Sequence, residues 1–154
     1  MRQRLWTDRD FDAMSWHDCH VHALRLIEGE HGSGDFELDI DYIVEWKQDK
    51  NEFSFVLVPA TLVFHAVSGL RVSLDWSTPS AAFGPFSLAG VERAFEKRVH
   101  YTATMWRIQV NWPTGEIGFE ATGFTQRCWG QEVVSNRQDL RPEERVPMSE
   151  APIP

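Results

Sequence analysis

The chain has 154 residues, a 42% hydrophobic content, and 15 basic against 23 acidic side chains, which give a net charge of −8. This length suits one folded domain, which buries roughly two-thirds of its unfolded surface. The negative charge, without a basic patch, argues against nucleic-acid binding. Because no apolar run approaches the ~20 residues that cross a bilayer, we expect no membrane span.

The N-terminal residues 1–14 carry no apolar run of signal-peptide type, and we expect them to form a cap or a short helix. The chain has two cysteines, Cys19 and Cys128, far apart in the sequence. Such sparse cysteine usage without an export signal indicates reduced thiols rather than a disulfide framework. We therefore predict a cytoplasmic protein.

Residues 15–129 are predicted to form an antiparallel β domain. The clearest strand is GDFELDIDYIVEW, residues 34–46, in which apolar and acidic side chains alternate. The runs FSFVLV and ATLVFHAV flank Pro59, which suggests a sheet edge, a bulge or a strand junction. Both runs are apolar on both faces, so we expect a second sheet, a helix or a second subunit of a homodimer to cover them. LRVSLDW, residues 70–76, predicts a half-buried strand.

Two later segments complete this domain. Residues 86–97 fit either a strand or a helix, and the neighbouring strands favour a strand. Residues 105–124 predict a hairpin with Thr114-Gly115 as its turn. In that hairpin all apolar residues share one side. The expected pairs are Trp112 with Ile117, Val110 with Phe119, and Ile108 with Ala121.

Residues 130–154 are polar and contain several prolines, and we expect a largely irregular tail with Leu140 attached to the body of the domain. The predicted fold is therefore a single-domain, all-β antiparallel sandwich or partly closed barrel. It should have about seven or eight strands and at most one or two short helices. An α+β fold with one helix on an antiparallel sheet is the alternative.

The segment WHDCHVH, residues 16–22, holds three histidines, an aspartate and a cysteine. If it forms a strand paired with residues 34–46, the apolar side chains meet in one register. That register pairs Ala23 with Leu38, Val21 with Ile40, and Cys19 with Tyr42. The opposite face then carries Asp18, with His22 opposite Asp39 and His20 opposite Asp41. The same register puts Leu24 and Leu26 on the histidine face, which indicates that something covers its far end.

Three interpretations of this His/Asp face stay open. The first is a set of cross-strand pairs on a solvated face. The second is a divalent metal held by His20, His22, Asp39 and Asp41, with Asp18 as a further ligand. The third is a polar patch that contacts a partner and responds to pH through its histidines.

Other candidate sites rest on single residue types. Cys19 could act as a nucleophile assisted by His65 or His100, although a cysteine expected to face the core is usually a small hydrophobe. Four tryptophans could line the cavity of a small-ligand carrier, or fill the core. They are Trp46, Trp76, Trp106 and Trp112. None of the common catalytic motifs is present, so the sequence leans away from an enzyme.

The motif D-x-H-x-H at residues 18–22 resembles the first metal-binding motif of the amidohydrolase superfamily. That family uses a β/α barrel of about 250 residues, and this chain lacks both the length and the strand–helix alternation. The W-H-D-C and D-I-D-Y-I-x-E-W motifs resemble a group of small bacterial proteins with no established activity. The W-H-D start and the segment LVFHAV are similar to immunity proteins of bacterial toxin systems. The last resemblance implies a protein-binding role without catalytic residues or a cofactor.

Overall fold

The chain folds mainly into β-strands. The computed structural model describes residues 2–77 and 82–148. Parts of the predicted N-terminal cap, of the loop after residue 76 and of the tail, at residues 1, 78–81 and 149–154, lie outside the described residues. The nine strands are β1 (Leu5–Thr7), β2 (His20–Glu28), β3 (Gly34–Asp49), β4 (Glu52–Leu74), β5 (Phe86–Lys97), β6 (Thr102–Trp112), β7 (Gly115–Glu120), β8 (Gly123–Cys128) and β9 (Val133–Ser135).

All strand pairs are antiparallel, and the sheet curls back on itself through β4. One edge of β4 pairs with β3, and its other edge pairs in turn with β9, β8 and β7. The path from β3 through β2, β5 and β6 returns to β7, so six strands enclose the core. The prediction of an all-β sandwich or partly closed barrel is confirmed. No helix among the described residues is long and apolar enough to cross a membrane.

The long strand β4 unites three segments that the sequence separates. Pro59 lies inside β4 rather than at its end, between the stretch that pairs with β9 and the stretch that pairs with β8. Its carbonyl accepts hydrogen bonds from the backbone N–H groups of Trp129 and Gly130. Because this gap carries no regular ladder, the missing N–H of proline costs no strand-pairing hydrogen bond.

The β6–β7 hairpin forms as predicted, but its register is shifted by four residues. Val110 pairs with Gly115, and Ile108 pairs with Ile117, which the prediction had placed opposite Trp112. The predicted two-residue turn would need a hydrogen bond from the backbone nitrogen of Pro113, which carries no hydrogen. An even shift keeps the same residues on the core side, so the predicted face survives the wrong register.

The core is a cluster of aromatic and branched side chains inside the closed sheet. Trp106 and Phe119 are 2% exposed, and Trp106 also donates its indole N–H to the Ala121 carbonyl. Residues 86–97, which fit two structures in the sequence, form strand β5. Its inward side chains Phe86 and Leu88 join this core.

The segments before β2 and after β8 pack against the closed sheet, and Phe11 of the first segment contacts Trp106 of the core. A 3-10 helix at Asp8–Ala13 follows β1. After β8, residues 129–148 form β9 on the edge of β4, a 3-10 helix at Pro142–Glu144, and loops that reach Asp39 and Asp41 on β3. Leu140 is buried there, at 1% exposure. This C-terminal segment covers the outer side of β3 at Asp39 and Asp41.

Candidate functional site

The predicted His/Asp face begins in the predicted register. Strand β2 pairs with β3 so that His20 lies opposite Asp41 and Val21 lies opposite Ile40. At His22 the ladder has a β-bulge, because this residue has no partner of its own on β3. The bulge divides the ribbon of β2 and β3 into two regions with different surroundings.

Beyond the bulge, the predicted pairing is wrong by one residue. Ala23 lies opposite Asp39, and Leu24 lies opposite Leu38. A shift of one residue exchanges the two faces of a strand. Leu24 and Leu26 therefore lie on the face of Leu38, not on the histidine face where the sequence placed them.

On the near side of the bulge, a buried carboxylate holds the C-terminal segment. Asp41 is fully buried, and its Oδ2 lies 2.6 Å from His22 Nε2. Its Oδ2 also accepts the backbone N–H of Leu140 at 2.8 Å, and its Oδ1 accepts Arg145 Nε at 2.9 Å. Burial alone raises the pKa of Asp41, but the hydrogen bonds from these three partners outweigh it, so the pKa lies below the ordinary 3.8.

Arg145, in the C-terminal segment, also binds the carboxylate of Asp39. We call the contacts of Asp39 and Asp41 with His22, Leu140 and Arg145 the clamp. Arg145 donates Nη1 to Asp39 Oδ2 at 2.9 Å and Nη2 to Asp39 Oδ1 at 2.8 Å, a fork that matches the carboxylate geometry. Its guanidinium also lies 5.3 Å from the centre of the Trp129 ring. Arg145 could not be predicted from the sequence, because nothing in a polar tail signals which arginine contacts a strand 104 residues earlier.

The other two predicted ligands are engaged elsewhere. His20 Nδ1 lies 3.1 Å from the backbone carbonyl of Asp18. The Asp18 carboxylate accepts amide N–H groups of Asn111 and Gln138, each at 3.0 Å. The structure thus brings His22, Asp39 and Asp41 together around an arginine and leaves His20 and Asp18 in a separate polar network.

A metal ion would have to compete with these contacts. Arg145 occupies both carboxylates, and a guanidinium is a cation that repels a metal from the same oxygens. Within residues 2–77 and 82–148, no three His, Cys, Asp or Glu side chains form a group that could hold a metal ion. The metal hypothesis stays a prediction, and elemental analysis of untagged protein tests it.

Neither cysteine is placed for nucleophilic chemistry. Cys19 is fully buried, and burial raises the pKa of its thiol to about 12. Burial also raises the pKa of the Cys128 thiol to about 11. Both thiols are free and neutral at pH 7, and a neutral thiol is a weak nucleophile. His65, one of the proposed bases, bonds instead to the Thr125 hydroxyl at 2.8 Å.

The four tryptophans proposed for a ligand cavity lie in different places. Trp106 is buried in the core, and Trp112 is half exposed at the β6–β7 turn. Trp46 packs edge-on against Phe55, whereas Trp76 lies near Phe86. They do not line one common pocket among the described residues.

On the far side of the bulge, one edge of β2 has no pairing strand within residues 2–77 and 82–148. Strand β5 pairs with β2 only at His20 and Val21. From residue 24 to residue 28, none of the strands in the described part of the chain pairs with that edge. The apolar side chains here are exposed: Leu26 is 69%, Ile27 45% and Leu24 38% accessible to solvent.

A cleft of about 350 Å³ lies between the end of β2, the start of β3 and residues 67–70 of β4. It forms where β4 leaves β3 after Val67 and turns to pair with β7. The turn uses two residues with positive φ, Ala66 at 51° and Gly69 at 63°. Leu26 of β2 and Leu70 of β4 line the two sides of the cleft, together with Ile27, Phe36 and Val67.

No protein-family model matches this chain, and neither a curated protein nor a solved structure is similar to it at a significant level. The resemblances to the small bacterial proteins and to immunity proteins therefore stay predictions.

Proposed function

We propose that this protein is a non-enzymatic binding module that takes up an extended segment of another protein as an additional strand along β2. The observation that supports the proposal is the edge at residues 24–28, which no strand of the described residues pairs with and where three apolar side chains are exposed. The immunity or regulatory role suggested by the sequence fits such a module. The buried neutral thiols and the engaged His/Asp face favour binding over catalysis.

An open strand edge offers backbone groups as well as side chains. Alternate residues of an edge strand point their N–H and C=O groups away from the sheet, where an extended peptide pairs with them. Proteins usually protect such edges with a charged side chain, a proline or a covering loop. The one arginine here, Arg25, is drawn back across the sheet to Glu37 at 3.2 Å, so it leaves the edge accessible.

The neighbouring cleft supplies the side-chain part of the site. In strand addition, backbone pairing gives affinity and pockets for alternate side chains give specificity. Leu26 and Leu70 form walls that an apolar side chain of the incoming strand fills, above the buried ring of Phe36. We expect the bound segment to place every second side chain into this cleft.

Selection from a displayed random-peptide library tests the proposal. The wild-type protein is the target, and the Leu26→Lys variant removes peptides that bind elsewhere. We expect to recover extended peptides whose binding is lost when every second backbone nitrogen is methylated, because methylation removes the N–H donors of one peptide edge.

A matched control separates this edge from others. Val134, which is 64% exposed on the short edge strand β9, is changed to lysine in the same way. The Val134→Lys variant should bind the selected peptides as the wild type does. Peptides that bind equally to wild type and to Leu26→Lys, or that tolerate backbone methylation, would overturn the proposal.

A further inference from the structure

We infer that the open edge of β2 selects a cationic amphipathic strand, with apolar side chains on one face and lysine or arginine on the other. This inference rests on the proposed function and adds the chemistry of the partner. It follows from the charges that surround residues 24–28.

The hairpin that carries the open edge is strongly acidic. Residues 24–37 contain four carboxylates and one arginine. Arg25 is neutralised by Glu37 at 3.2 Å. Glu28 and Glu30 are exposed at the tip, and Asp35 faces His65 at 3.6 Å. A strand that lies along this edge therefore meets a surplus of negative charge.

Each face of β2 favours a different type of side chain in the partner strand. Leu26 lies on the cleft side, opposite Phe36, so side chains that enter there must be apolar. Leu24 lies opposite Leu38 and lines a separate pocket with Phe83 and Pro85. On the other face Ile27 lies beside Asp35. A lysine or arginine opposite Ile27 lies two strand spacings, roughly 10 Å, from that carboxylate, a distance over which opposite charges attract at low salt.

A second copy of this chain fits the edge poorly. Each copy carries a net charge of −8. Because both copies carry charge of the same sign, electrostatic repulsion opposes their association, most strongly at low salt. The charge pattern thus favours a basic partner over a homodimer.

Two peptide probes test the inference by fluorescence anisotropy. One is a short capped peptide of alternating valine and lysine, and the other alternates valine and glutamate. We expect the lysine peptide to bind at least about tenfold more tightly at low salt, and to lose most of that advantage at high salt because exposed charges are screened. The lysine peptide with methylated backbone nitrogens should not bind.

Paired variants locate the charge effect. Glu28→Gln with Glu30→Gln should weaken binding of the lysine peptide about fivefold, since each exposed ion pair contributes a few tenths of a kcal/mol or more. Asp49→Asn with Glu52→Gln removes the same charge from the exposed β3–β4 turn and should leave binding unchanged.

The outcomes separate the two proposals. Equal binding of the lysine and glutamate peptides, or an equal effect of the two double variants, would overturn the charge selection and leave strand addition standing. Failure of both peptides, together with sedimentation as a dimer that Leu26→Lys abolishes, would assign the edge to a second copy. Failure of both peptides with a monomeric protein would overturn the inference and count against the proposed function as well.

Discussion

The β2–β3 ribbon has two regions, one on either side of the bulge at His22. Both are antiparallel strand pairs, but one is buried and the other is exposed to solvent. Before the bulge, Asp41 is fully buried and makes contacts with His22, Leu140 and Arg145. After the bulge, Leu26 is 69% exposed and its outer edge is unpaired in the described part of the chain. The first region thus buries a polar side chain, whereas the second leaves apolar side chains exposed.

From this inversion we propose a different role for each region. A buried carboxylate is tolerated only when its hydrogen bonds are made, so the first region stabilises the fold and fixes the C-terminal segment. Exposed leucines on an open strand edge stabilise the monomer little and leave surface for a partner. The variants below test whether stability and binding divide at His22 in this way.

The largest expected effect is at Asp41. Asp41→Ala leaves Arg145 and His22 without their buried partner, and breaking a buried ion pair in this way costs about 3–5 kcal/mol of unfolding free energy. Urea denaturation followed by tryptophan fluorescence measures it. Asp49→Ala, at an exposed position on the far turn, should change stability by less than about 0.5 kcal/mol. Similar values for the two variants would contradict the structural role.

Arg145→Met should have the next largest effect. It removes the hydrogen bonds to Asp39 and Asp41, and bonds to charged groups contribute about 1.5–3 kcal/mol to stability. The C-terminal segment should also become sensitive to limited proteolysis, because its main attachment is lost. Arg98→Met, at a half-exposed arginine, serves as the control. It should change neither the unfolding free energy nor the sensitivity of the C-terminal segment to proteolysis. An unchanged digestion pattern for Arg145→Met would show that other contacts hold the segment.

The pH dependence sharpens the same comparison. Because the pKa of Asp41 in the folded protein lies below 3.8, its contribution is present above about pH 4 and is lost as the pH falls through the folded value. The difference in unfolding free energy between wild type and Asp41→Asn should therefore shrink from pH 7 to pH 3. A difference that stays constant over this range would mean that the ionised carboxylate is not what stabilises the clamp.

The smallest stability effect is expected on the far side of the bulge. Leu26→Lys should change the unfolding free energy by less than about 0.5 kcal/mol, since Leu26 is mostly in solvent already. It should nevertheless abolish peptide binding. A stability loss of several kcal/mol would instead show that Leu26 is part of the core.

The strands themselves could be predicted from the sequence because their side chains alternate. Phe36, Leu38 and Ile40 alternate with acidic residues, and each is buried as expected. The bulge at His22 could not be predicted from the sequence. Residues 23–28 show a pattern of apolar and polar side chains that fits β3 both with and without a shift of one residue. The bulge reversed the faces of Leu24 and Leu26, and with them the location of the candidate site.

The clamp could not be predicted from the sequence for a different reason. Arg145 contacts Asp41 across more than a hundred residues of chain, and local periodicity carries no information on such a pair. The tail was interpreted from its polarity and prolines, which describe its lack of a core but not its attachment. Only the position of Leu140 in that tail suggested contact with the body of the domain.

Amide hydrogen exchange of the unliganded protein tests the central comparison most directly. The account predicts that the amides of residues 39–43 exchange only through global unfolding. The amides of β2 that point to its open edge, between residues 24 and 28, should exchange orders of magnitude faster and slow down when the lysine peptide is added. Equal protection of both regions in the free protein would contradict the account, because the edge would then already be covered.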